Sequence, residues 1–198
     1  MGEIQYTGTY FDGSREELIA AVKKSLSKHR FEHVLRVEKA AVKLASLNGA
    51  SLEKASIAGL THDYAKERSD SEFKSVIKKY SLDPDLLNWG NFIWHGAVGA
   101  QIVSNELGIT DQEILNAIAR HTVGAPQMTI LDQIIYVADF VEDQRDFPDA
   151  RIARSLAYAD LKAAVIFETK HTLEYLMSSN KTIYPDAILT YNSWVAGN

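Results

Sequence analysis

Along this chain the apolar residues fall at three- and four-residue intervals, the spacing of helices that each bury one face. Ser14 with Glu17 three places on is a capping-box pattern, and Leu18, Val22 and Leu26 follow until His29-Arg30 interrupts, which predicts a first helix. A second is predicted from about Phe31, where Val34, Val37, Ala41, Leu44 and Ala45 form a stripe ending at Asn48-Gly49, residues that tolerate the left-handed conformation. Ser51 can cap a third through Ile57, Leu60 and the doublet His62-Asp63; its small residues Ala55, Ser56, Ala58 and Gly59 predict close packing and a central place. Phe73, Val76, Ile77 and Tyr80 repeat at helical spacing, Pro84 after Asp83 suits a first helical position, and Trp94 to Leu107 reads as one helix ended by Gly108. Thr110 with Glu113 is a second capping box, for a helix through Ile114, Leu115, Ile118 and His121, and Thr129 can cap one through Ile130, Ile134, Val137 and Asp139. The last long helix is predicted from about Asp160 to Ser178, and a Pro185-containing tail with Tyr191 and Trp194 is expected to dock back onto the body.

No alternating strand pattern, internal repeat or low-complexity stretch accompanies these helices, so the expected class is all-α, with residues 1–13 unassigned and residues 14–198 one domain. At 198 residues, 46% of them hydrophobic, the chain suffices for one core. Its 21 Lys and Arg against 26 Asp and Glu argue against a broad surface for nucleic acid polymers and leave room for a local basic pocket. The absence of Cys excludes disulfides, zinc-thiolate sites and cysteine nucleophiles. No apolar run reaches the roughly 20 residues of a spanning helix, and Met1 to Phe11 lacks the basic start and apolar stretch of a signal peptide, so no membrane partner and a cytoplasmic place are expected.

The chemistry concentrates on His33, His62, Asp63 and Asp139, which lie on three predicted helices whose packing can gather them around one ion. Two imidazoles and two carboxylates suit iron, manganese, cobalt or nickel and can also hold zinc. Asp139 sits in the apolar run Ile134 to Val141, where a carboxylate needs a metal or an Arg or Lys partner. His95 and His121 occupy two further helices and suit either a second ion or substrate phosphate; taken alone, a histidine such as His33 or His121 on an otherwise apolar helix is more often a hydrogen-bonded structural residue. Lys66, four residues past His62, falls on the same helical face, where its ammonium would meet a phosphate bound at the ion. His29 and His171 have no such context and read as surface or structural residues.

The order His33, His62-Asp63, Asp139 resembles the HD-domain phosphohydrolase superfamily, an all-helical fold named for that doublet. The stretches His62-Asp-Tyr-Ala-Lys66, Trp94-His-Gly-Ala-Val-Gly99, Arg120-His-Thr-Val-Gly124 and Tyr136-Val-Ala-Asp-Phe-Val-Glu142 are similar to the YqeK family of bacterial symmetrical diadenosine tetraphosphate hydrolases, over about Ser14 to Trp194. The resemblance implies a metal in the bundle core, typically iron, held by His33, His62, Asp63 and Asp139 beside a pocket for an ADP moiety. Nucleotide contacts would fall on Arg30, Lys66, His95, His121, Thr122, Arg145 and the segment Thr182, Ile183, Tyr184, Pro185, Asp186 and Ala187. The implied reaction splits the four-phosphate bridge in its middle to give two ADP, by attack of a water that the ion acidifies to hydroxide, with His62, Asp63 and Lys66 as the catalytic residues. Asp143-Gln144 stand where the family usually has Pro after Glu142, and the turn after His121 reads Val123-Gly-Ala-Pro126. An HD site acting on another nucleotide, a non-catalytic nucleotide sensor, and a homodimer all stay open.

Overall fold

The computed structural model describes residues 4–197, so the first three residues of the unassigned opening segment lie outside it. Among the described residues there are helices and turns and no strand. Helix α1 (Arg15–Ser25) starts at the expected capping box: the Ser14 hydroxyl accepts from the Glu17 amide, and the Ser14 amide donates to Glu17 Oε2 at 2.7 Å. Helix α2 (Lys28–Leu47) begins earlier than its apolar stripe suggested, because the Ser27 hydroxyl caps it at the Arg30 amide. His29-Arg30 therefore lies in a first turn and not in a break, and His33 moves into the second turn.

Helix α3 (Leu52–Thr61) packs against α1, α2, α7 (Gln112–Arg120) and α8 (Ile130–Val141), the central place its small residues predicted. Gly59 is what allows the approach to α2, since a Cβ there would come within 2.8 Å of the Glu38 Cα. The doublet follows the last turn of α3, where Tyr64 N donates to Thr61 O and Lys66 N to Asp63 O in tight turns. Residues near the N-terminus lie over the same helix, with Tyr6 Oη 2.8 Å from Ser56 Oγ and the Thr7 amide donating to Glu53 at 2.8 Å.

Helix α4 (Asp70–Lys79) and a 3₁₀ turn at Pro84–Asn88 lead to a departure from the pattern. The stretch expected as one helix from Trp94 to Leu107 is two, α5 (Asn91–Ala97) and α6 (Gly99–Leu107), joined at Val98. Both sides keep helical spacing, but Gly96 lies so close to the carbonyls of Ile118 and Ala119 that a Cβ would reach 3.2 Å from each, and Gly99 abuts Ala65. Helix α7 is capped by Asp111, whose carboxylate accepts from the Ile114 amide at 3.0 Å, and not by Thr110.

Helix α8 begins with a capping box formed by Thr129 and Asp132. Helix α9 (Pro148–Ala159) has no counterpart among the predicted elements, since its buried face is only Ala150, Ala153 and Ala157. Helix α10 (Leu161–Ser178) runs as predicted from its Asp160 cap, and the Pro185 segment is itself helical, α11 (Pro185–Trp194). Thr190 Oγ1 donates to Val123 O and Trp194 Nε1 to Ala125 O, each at 2.9 Å. Trp94, Phe73, Ile57, Leu60, Ile118, Ile134 and Ile135 fill the core, at about 1.5–3 kcal/mol for each large side chain taken from water. No helix among the described residues is long and apolar enough to cross a membrane.

Candidate metal centre

Four helix ends and one helix interior converge at the site: the doublet after α3, His95 on α5, His121 at the end of α7, Asp139 in the last turn of α8, and His33 inside α2. Backbone carbonyls accept but never donate, so the carbonyl that each Nδ1 meets assigns the ring proton. His62 Nδ1–H donates to Gly59 O at 2.8 Å, His121 Nδ1–H to Ile118 O at 2.7 Å, and His95 Nδ1–H to Asn91 O at 2.5 Å. On His33 the Nδ1–H faces a carboxylate, Glu142 Oε1 at 3.3 Å, which Arg36 Nε holds through Oε2 at 2.7 Å. All four rings thus turn an unprotonated Nε2 inward, those of His33 and His62 without a hydrogen-bond partner, and a carboxylate behind His33 makes its nitrogen the more basic.

Two groups of atoms lie close enough together to hold an ion: His33, His62 and Asp139, and His62, Asp63 and His121, with all donor atoms of a group within 4.8 Å of one another. His62 belongs to both. Three of the four expected ligands therefore gather in one group, while Asp63 falls with His121; His95, paired with His121 in the expected second ion site, belongs to neither group. His33 Nε2 is 3.1 Å from Asp139 Oδ1, and Asp63 lies 3.7 Å from His62 Nε2 and 3.8 Å from those of His33 and His121. Of six buried side-chain atoms without a hydrogen-bond partner among the described residues, three are His33 Nε2, His62 Nε2 and Asp63 Oδ1, and two more belong to Arg30 and Glu168 at the rim. Bare nitrogens and a carboxylate oxygen facing one another in the interior are costly unless a cation joins them, so the residues present fit a metal ion.

The carboxylates are not alone, however. Arg30 Nη1 donates to Asp63 Oδ2 at 2.8 Å and Arg145 Nη2 to Asp139 Oδ1 at 3.0 Å. Asp139, expected to be buried, keeps 25% of its side chain exposed and has the Arg partner that was the alternative to a metal. The case for an ion accordingly rests on the imidazoles and Asp63 Oδ1. Burial pushes the His62 ring down to about 4, against the pull of Asp63, and burial with the neighbouring His121 and Lys66 pushes His95 down to about 3, so both are neutral donors at neutral pH. Burial works to raise the carboxyls of Asp63 and Asp139, but the surrounding imidazoles hold both below the usual range. Burial also lowers the Lys66 ammonium, with Asp63 and Asp139 opposing.

An open cavity of about 800 Å³ adjoins the centre, lined by Lys66, His95, His121, Thr122, Asp139 and Arg145 among others. Lys66 Nζ sits 3.0 Å from His95 Nε2, which is also 3.2 Å from the Thr122 hydroxyl. Five of the residues expected to touch nucleotide thus line one space, whereas Arg30 is committed to Asp63. Thr182, Tyr184 and Ala187 line an adjoining pocket of about 630 Å³ that shares Thr122 with the first; Asp186 lies with Tyr184 on a third concavity, and Ile183 and Pro185 line none of these. Three participants were not anticipated: Arg36 and Glu142 behind His33, and Glu168, which lines the cavity with its carboxyl pushed well up by burial and by the charge of Asp139.

The HD domain model matches residues 30–142, which hold every candidate ligand. The symmetrical bis(5'-nucleosyl)-tetraphosphatase of Bacillus subtilis is 43% identical over 185 residues, covering 93% of this chain and 100% of that one. The protein of the same name from Staphylococcus aureus is 35% identical over 168 residues, 84% of this chain and 87% of its own. A crystal structure from Clostridium acetobutylicum, described as a predicted HD superfamily hydrolase involved in NAD metabolism, superposes with a TM-score of 0.87 at 29% identity, covering 94% of this chain and 99% of that one. With a doublet, a helical bundle and full-length relatives in agreement, this chain belongs to the HD-domain family and, within it, to the YqeK-type group of symmetrical bis(5'-nucleosyl)-tetraphosphatases.

Proposed function

We propose that this chain hydrolyses dinucleoside tetraphosphates at the middle of the bridge, turning diadenosine tetraphosphate into two ADP. The observation that carries the reading is the set of inward-facing, unpartnered donors on His33, His62 and Asp63 at the edge of a cavity lined by Lys66 and Arg145. An ion held there, iron in our reading and manganese, cobalt or nickel by donor type, supplies Lewis acidity to a phosphoryl oxygen and acidity to water. The remaining work belongs to the chain. Lys66 and Arg145 offset the charge gathered on the transferring phosphoryl group, the main demand of this chemistry. Thr122 and His121 border the same space, and Thr182, Tyr184 and Ala187 wall the pocket next to it, where we place the nucleoside of the held ADP half. Gripping one nucleoside and two phosphates sets the reacting phosphorus as the second from that end, which makes cleavage symmetrical. A cytoplasmic place accords with such a substrate.

Chromatography of the products from diadenosine tetraphosphate tests the register. ADP as sole nucleotide product is expected; ATP with AMP would reject it, and faster turnover of a cyclic dinucleotide or guanosine polyphosphate in competition would reject the substrate class.

A further inference from the structure

The cavity at the metal centre opens through a second part of its wall. Phe140, Arg145, Phe147 and Thr172 line it and also line a further pocket of about 890 Å³, which adds Asp149, His171 and Tyr175. The Phe140 and Phe147 rings meet edge to face at 5.2 Å, which covers one face of one ring and leaves the other faces clear of the pair. Phe147 is 39% exposed and Tyr175 62%, a rim of bare aromatic surface around a concavity that leads to the catalytic centre. Arg145 stands at the passage, reaching Asp139 with Nη2 from a side chain that is itself 38% exposed.

We propose that this aromatic pocket binds the second nucleoside of the substrate, the half that departs with the other two phosphates. The inference rests on the reading of the site as a dinucleoside tetraphosphatase. A substrate with a base at each end can fill two base-sized apolar sites with a cationic passage between them. The pocket walled by Tyr184, Leu173 and Phe92 supplies one; the pocket of Phe140, Phe147 and Tyr175 supplies the other, and the space lined by Lys66 and Arg145 joins both. Aromatic faces take any base by stacking, and a guanidinium at the passage offers forked donors to the phosphates crossing it. Helices α9 and α10 thereby gain a part in recognition, through Asp149, His171 and Tyr175, beside Phe140 of α8, the helix that carries Asp139.

The test compares diadenosine tetraphosphate with adenosine tetraphosphate, which keeps one nucleoside and all four phosphates and lacks the second nucleoside. KM is measured for each, or the inhibition constant of adenosine tetraphosphate where its turnover is slow. The native enzyme should favour the dinucleoside about tenfold, the scale of one stacked base. The doubly substituted Phe147→Ala, Tyr175→Ala enzyme should bring that ratio to about one, and the single Tyr175→Ala change at the more exposed position should lower it part of the way. A native ratio near one with ADP as product overturns the second subsite while leaving the function intact, as does a ratio that the substitutions leave at its native value. Failure to form ADP from the dinucleoside at all overturns the function itself.

Discussion

Helix α2 carries two buried polar clusters five residues apart, and they are built in opposite ways. At Glu38 both carboxylate oxygens are partnered: Arg15 donates twice at 2.6 Å, Ser56 donates at 2.5 Å, and Tyr6 meets Ser56 in turn. At His33 the inward nitrogen is buried and has no hydrogen bond; it lies 3.1 Å from Asp139 Oδ1 and beside the His62 ring, whose Nε2 is equally bare, as is Asp63 Oδ1. Both residues are 3% exposed, so burial does not separate them. What separates them is that the first cluster is complete within the chain and the second lacks a partner the chain does not contain. The closed cluster fastens α1 and α3 to α2; the open one is shaped to receive an ion.

Mutations should therefore break the two clusters in different currencies. His62→Ala removes the donor common to both candidate metal groups, and its expected effect is the largest: metal content lost by elemental analysis and turnover down by more than the 10–100-fold that outer-shell partners command. Retained metal and retained turnover would reject the site. Glu38→Ala should instead cost about 3 kcal/mol of stability, the low end for breaking a buried ion pair because Arg15 can still reach water. Its metal content and kcat, measured below the transition, should match the native protein; joint loss of metal would mean that the two clusters are one.

This contrast also explains what could be read from the residues alone. The helices with large apolar stripes, α2 and α8 above all, announce themselves, as does an Asp set among Ile and Val. Helix α9 does not, because Ala150, Ala153 and Ala157 bury a face without the large side chains that make a stripe. The break at Val98 is equally silent, for it answers to the approach of Gly96 to the carbonyls of α7, a tertiary fact. Arg36 and Glu142 look like any surface pair until α2 and α8 are docked. Glu168 did leave a signal: it falls on the face of α10 with Leu161, Ala164 and Val165, where a carboxyl among buried apolar neighbours asks for an explanation.

A smaller effect sharpens the comparison from within the open cluster. Glu142→Gln keeps the shape behind His33 but removes the charge that orients its Nδ1–H and that Arg36 holds. Metal affinity should fall about 10–100-fold, with the fold unchanged by circular dichroism and activity restored at raised metal concentration. Activity that stays low at saturating metal would give Glu142 a part in substrate handling instead.

Glu168 shows a third way to satisfy burial, neither a partner nor an ion but a proton. It is 5% exposed, its Oε2 has no hydrogen bond, and burial with the nearby Asp139 charge raises its carboxyl well above 4.5. The folded state thus keeps the acid neutral while the unfolded chain ionises it from about 4.5 upward, so its contribution to stability is intact below that pH and is lost as pH rises toward the folded value. Glu168→Gln fixes the neutral form and removes this loss. The Tm of the metal-free variant should equal that of the native protein below pH 4.5 and exceed it by a margin that grows through the neutral range. A Tm difference that does not change with pH would show that folding leaves the Glu168 carboxyl unshifted, and a native protein that gains on the variant as pH rises would show it ionised and paired, moving it from the protonated class to the closed one.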